Sequence, residues 1–96
     1  MAGDKLFVQD PSVILHWRSF EDEFVAFEQL SGITYRFDVL RAFLLDSLAT
    51  DAQSEASLIA AVVVHLGTVD ATSVAVLVRQ LLEELCGAGL VEMVTA

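Results

Sequence analysis

Few residues in this chain are capable of acid–base, nucleophilic or metal chemistry. They are two histidines, one cysteine and 14 Asp and Glu side chains among 96 residues. A metal site needs several Cys, His or Asp ligands at short spacing. His16 falls in a strand-like stretch and His65 ends a helix-like one, and neither has such ligands beside it, so no metal is expected. A Cys–His nucleophile pair is formally available through Cys86. That residue falls near a helix C-terminus, however, where the helix dipole opposes a thiolate. The preferred reading is a buried structural cysteine. Glu21, Asp22 and Glu23, and the pair Glu83 and Glu84, read as solvated turn and helix faces, not as an acid–base pair in an apolar pocket. Gly87-Ala88-Gly89 follows a helix, whereas phosphate-binding glycine loops precede one. Neither enzymatic activity nor a cofactor is expected, which leaves binding.

The elements that would present a binding surface are organised around LSGITYRFDVLRAFLLDSL, residues 30–48. Ser31-Gly32 is a turn signal, because glycine accepts positive φ without steric cost. Ile33, Tyr35 and Phe37 alternate with Thr34 and Arg36, as in a strand buried on one face. Asp38 is a good helix N-cap. Leu40, Phe43, Leu44 and Leu48 then recur at helical spacing.

Upstream, residues 13–20 form the first expected strand. Val13, Leu15, Trp17 and Ser19 lie on one face, with Ile14, His16, Arg18 and Phe20 on the other. The acidic turn Glu21-Asp22 leads to a second strand, Glu23–Glu28, and residues 33–37 form the third; short connections make this an antiparallel meander. Residues 1–12 read as a lead-in, ending in the turn Asp10-Pro11-Ser12. Leu6, Phe7 and Val8 fit equally a short strand or a tuck onto the core.

Downstream, Asp51 or Ser54 caps a second helix, Glu55–Leu66, whose apolar set is Leu58, Ile59, Val62, Val63 and Leu66. Its three consecutive valines make a strand the minority reading. Gly67 stops it. Asp70 or Thr72 caps a third helix running to about Cys86, with Val74, Leu77, Val78, Leu81, Leu82 and Leu85 as its core stripe. Leu77 sits at the margin of that stripe. Val76 falls on the opposite side, near Ser73 and Gln80. Residues 90–94, LVEMV, are a terminal strand or a packed tail. The fold class is therefore α+β: a three-stranded antiparallel sheet followed by three helices, winged-helix-like, in a single domain over residues 13–96.

Composition narrows the partners. Hydrophobic residues make up 55% of the chain and mean hydropathy is +0.62, which implies a filled core and some exposed apolar surface that needs a partner. Net charge is −9, with only five Lys and Arg, so nucleic acid is not expected as a ligand. No apolar run spans a bilayer and no signal-peptide pattern opens the chain, so no membrane association and a cytoplasmic location are expected.

Trp17 in the first strand, the acidic turn, the strand EFVAFE and the run LSGITYRFDVLRAFLLDSL resemble the PqqD-like proteins, small peptide chaperones of pyrroloquinoline quinone biosynthesis and related systems. LLEELCGAGLVE resembles their closing helix followed by Gly-Leu-Val. The nearest subgroup is the short PqqD-like proteins associated with HPr-kinase-related proteins. The resemblance covers about residues 13–94. It implies a recognition element that captures the leader segment of a precursor peptide as an added strand and presents it to a modifying enzyme. Carried over by position, the peptide-binding residues would be Ile33, Thr34, Tyr35, Arg36 and Phe37 on the strand, with Ser73, Val76, Leu77 and Gln80 on the third helix. The alternatives are a scaffold or oligomerisation subunit of a kinase-related system, including a homodimer paired through the same edge, and a winged-helix DNA-binding protein, which the charge disfavours.

Overall fold

The computed structural model describes residues 5–67 and 70–95. Residues 1–4 of the expected lead-in, and 68 and 69 of the expected linker, lie outside these. The elements in order are β1 (Lys5–Gln9), β2 (Leu15–Phe20), β3 (Glu23–Glu28), β4 (Thr34–Phe37), α1 (Val39–Thr50), β5 (Gln53–Ser54), α2 (Glu55–Leu66), α3 (Ala71–Gly87) and β6 (Val91–Thr95).

The meander is present as an antiparallel sheet in the order β2-β3-β4. Its register pairs Trp17 with Ala26 and Ala26 with Tyr35, and it pairs Phe24 with Phe37. Leu15, Trp17 and Ser19 therefore share the face of Ala26, Tyr35 and Phe37, as strand alternation requires. The strands are shorter than the apolar pattern suggests. β2 begins at Leu15 because the amide of Val13 instead closes the Asp10-Pro11-Ser12 turn, donating to the Asp10 carbonyl at 2.9 Å. β4 begins at Thr34, with Ile33 in the approach to it.

A second sheet departs from the expected single one. β1 is its central strand, in the order β5-β1-β6, antiparallel to both neighbours. Residues 5–9 thus form a strand of a sheet, one of the two readings open for Leu6, Phe7 and Val8, and Phe7 packs against the core. Residues 90–94 resolve in favour of the strand, since Phe7 pairs with Met93 and Gln9 with Val91.

Capping follows the sequence. Asp38 accepts from the Arg41 amide at 2.9 Å, Ser54 from the Ser57 amide at 3.1 Å and Asp70 from the Ser73 amide at 3.1 Å. Gly67 ends α2 at φ 68°, in the left-handed region that favours glycine. α1 packs on both sheets, on β1 of one and on β3 and β4 of the other. That two-sided cover explains why the successive residues Leu44 and Leu45, which point about 100° apart on a helix, are both fully buried. α2 buries Leu58 and Val62 but leaves Leu66 exposed, and α3 buries Val74, Val78, Leu81, Leu82 and Leu85. Leu77, placed in the core stripe by spacing, is exposed at its margin. Among the described residues no single helix is long and apolar enough to cross a membrane.

Candidate functional site

The turn that delivers β4 is built around one carboxylate. Glu28, only 5% exposed, lies on the inner face of the sheet with Phe24 and Ala26. Its oxygens accept from the amides of Ile14 at 2.9 Å, Ser31 at 2.7 Å and Leu30 at 3.2 Å. These bonds, that to Ile14 foremost, hold its pKa down at about 2 despite the opposing effect of desolvation. Gly32, at φ 74°, donates to the Glu28 carbonyl, and the Ser31 hydroxyl accepts from the Ile33 amide. Glu28 was not foreseen as a site residue. The available signal was parity, because a glutamate two residues beyond Ala26 must point inward.

The ladder then decides which backbone groups of β4 are free. The Glu28 amide donates to the Ile33 carbonyl at 2.8 Å. In an antiparallel pair, hydrogen-bonded and non-bonded residues alternate, so Ile33, Tyr35 and Phe37 bond inward to β3. Thr34 and Arg36 turn their N–H and C=O groups outward. β4 is the last strand of its sheet, so no strand covers that edge among the described residues. The opposite edge obeys the same rule. The Gln29 amide donates to the Ile14 carbonyl at 2.9 Å, which leaves Leu15, Trp17 and Ser19 with outward backbone groups on β2.

The side chains expected at the site divide into two groups. Tyr35 and Phe37 face inward and stack at 5.6 Å, joining the core that contains Val74 and Val78. Ile33, Thr34 and Arg36 are exposed, as are Ser73, Val76, Leu77 and Gln80 on α3. Val76 is 55% exposed. The Ser73 hydroxyl and amide are both engaged by the Asp70 carboxylate. A fork of hydrogen bonds fixes the end of β4 relative to α3. Arg41 donates to Asp38, the residue after β4, at 2.7 Å and to Glu84 on α3 at 2.9 Å. Glu84 thereby holds the Arg41 pKa above its ordinary value, and Arg41 holds that of Glu84 below its own.

Two cavities lie elsewhere, and neither is lined by β4 or by the expected α3 residues. The first, about 480 Å³, opens between β2 and β3 on one side and α1 with the end of α2 on the other. Its walls include Trp17, Phe24, Val39, Phe43 and His65, and the His65 ring stacks on Phe43 at 4.4 Å. The volume lies within the range of small-molecule sites. Ser19, Asp46 and His65 all line it, yet no hydrogen bond links His65 to either of the others, so the linked nucleophile–base–carboxylate geometry is absent. The second, about 410 Å³, is lined by Lys5, Phe7, Glu55, Arg79 and Cys86 among others. Cys86 is half-buried there, not fully buried, and desolvation raises its pKa, which disfavours the thiolate. Among the described residues no group of His, Cys, Asp and Glu is placed to hold a metal ion.

Comparison with family models, curated proteins and solved structures returned no match.

Proposed function

We propose that this chain is a non-catalytic peptide-recognition subunit of the PqqD-like kind, acting in the cytoplasm. It captures an extended leader segment by strand addition to β4 and presents the precursor to a modifying enzyme or an HPr-kinase-related protein. The observation that carries this reading is the edge itself. Thr34 and Arg36 offer two N–H and two C=O groups outward, and the turn before them and the fork after them are both fixed. An added strand gains affinity through main-chain hydrogen bonds and selectivity through alternate side chains. Each such bond contributes about 1 kcal/mol net, so four of them suffice for modest affinity only if the strand is already ordered. Glu28 and Asp38–Arg41–Glu84 supply that order.

The finer fold assignment rests on further features. α2 and α3 turn through 117° across a short connection, within the range of helix-turn-helix pairs. β5 precedes α2 and β6 follows α3, both against β1, which supports a winged-helix-like arrangement with β1 between them. The DNA-binding role of such folds is disfavoured because α3 carries Arg79 against Glu83 and Glu84, and Arg79 is engaged by Glu55 at 2.9 Å.

The test is an amide NMR titration of the labelled chain with synthetic leader segments of peptides encoded beside it. Shifts at residues 33–37 and in the first half of α3 are expected. Saturating peptide without shifts there, for every candidate, sinks the reading in favour of a scaffold that pairs through the same edge. Gel filtration at two concentrations distinguishes a homodimer.

A further inference from the structure

The outer face of the β2-β3-β4 sheet carries an unusual allocation of charge. Strand alternation places Arg18, Val25 and Arg36 in one cross-strand row, Arg18 opposite Val25 and Val25 opposite Arg36. The row on one side carries His16, Phe27 and Thr34, and the row on the other carries Phe20 opposite Glu23. Phe27 is 43% exposed and Phe20, at the hairpin end, 56%. The other two arginines are each ion-paired, Arg41 with Asp38 and Glu84 and Arg79 with Glu55. Among the described residues Arg18 and Arg36 have no acidic partner. A chain with 14 acidic residues against five basic ones thus places two guanidinium groups without an ion pair on one face of the sheet, with Val25 between them and Glu23 in the adjoining row.

From this juxtaposition we propose that the outer face of the sheet docks an acidic segment of a partner protein, one whose carboxylates flank an apolar side chain. Two strand spacings separate the two arginines, so the matching carboxylates lie about 10 Å apart. The apolar side chain between them rests on Val25 and Phe27. Arginine suits the role because its planar fork binds carboxylates through paired hydrogen bonds. A protein segment fits better than nucleic acid. A polyphosphate extends past two cations onto surfaces that are acidic, within the ~8 Å reach of charge at physiological salt, whereas a short acidic segment ends on the face. The inference does not rest on strand addition, which uses the outward backbone of β4 and not this face.

The test is titration of the labelled full chain with a short synthetic peptide rich in glutamate and leucine. Two controls accompany it: the same peptide with lysine in place of glutamate, and a single-stranded oligouridylate. Expected are shifts at Arg18, Val25, Phe27 and Arg36 with the glutamate peptide alone, weakened several-fold by added salt. Arg18→Glu is expected to lower the affinity about tenfold or more while the rest of the amide spectrum is retained. Equal binding of the lysine peptide, binding of the oligouridylate at this face, or shifts indifferent to Arg18→Glu would each overturn the proposal.

Discussion

The β2-β3-β4 sheet has two open edges, and they differ in what surrounds them. The β4 edge is short, presents Thr34 and Arg36, and is anchored at both ends, by Glu28 before it and by Asp38, Arg41 and Glu84 after it. The β2 edge is longer, presents Leu15, Trp17 and Ser19, and overlooks the aromatic cavity. α1 packs on β3 and β4, and it faces β2 across that cavity. An edge used for strand addition gains most from being held rigid, because ordering on binding subtracts from affinity. By that criterion β4, held at both ends, is the proposed docking edge, whereas β2 is held by Glu28 through the Ile14 amide at its start and runs over a cavity beyond it.

The sharpest way to break the comparison is a matched pair of prolines. Thr34→Pro removes an outward N–H on β4 without touching the ladder to β3, and proline is tolerated at such edge positions. Peptide affinity, measured by calorimetric titration, is expected to fall roughly tenfold or more, with circular dichroism unchanged. Ser19→Pro makes the equivalent change on β2 and is expected to leave affinity intact. Loss of binding in Ser19→Pro alone would reverse the assignment.

Glu28→Gln comes next. The carboxylate is held at about 2, well below its ordinary 4.5, so between those values the unfolded chain binds the extra proton. Its stabilisation is therefore complete above about pH 4.5 and lost as pH falls through 2. Thermal melts from neutral pH downward are expected to show a Tm several degrees lower for the variant, with a shallower decline in acid. Asp10 and Asp70, held low by hydrogen bonds from Ser12 and Ser73, keep some of that decline in place.

Glu84→Gln tests the other anchor. Glu84 is half-exposed, so the loss of stability is expected to be only ~0.2–1 kcal/mol. Peptide affinity is expected to drop a few-fold, because the end of β4 is freed from α3. The smallest effect is at the hairpin. Glu21 sits at φ 51°, a region that disfavours side chains. Glu21→Gly is expected to raise stability by up to about 1 kcal/mol without altering binding.

Local signals in the sequence foretold the meander, the cap Asp38 and the three helices, and narrowed the cap of α2 to Asp51 or Ser54, since each depends on neighbours a few residues apart. Strands at residues 6–8 and 90–94 were each one of two readings, but their pairing into a second sheet was not legible. β1 pairs residues 5–9 with 91–95, and no periodicity in KLFVQ reports a partner so distant. The cavity escaped for a related reason: Trp17 and Phe43 each read as core by spacing, and only the packing of α1 against β3 and β4 leaves a gap beneath β2. Of the expected site, the edge position of β4 could be anticipated from its order in the chain. Its anchors could not, because the Arg41–Glu84 contact joins residues 43 positions apart.

Hydrogen exchange at individual amides tests the central claim most directly. Thr34 and Arg36 are expected to exchange rapidly in the free protein and to become protected at saturating leader peptide, while Leu15, Trp17 and Ser19 stay fast. Protection appearing on β2, or on neither edge while the peptide is bound, would contradict strand addition at β4.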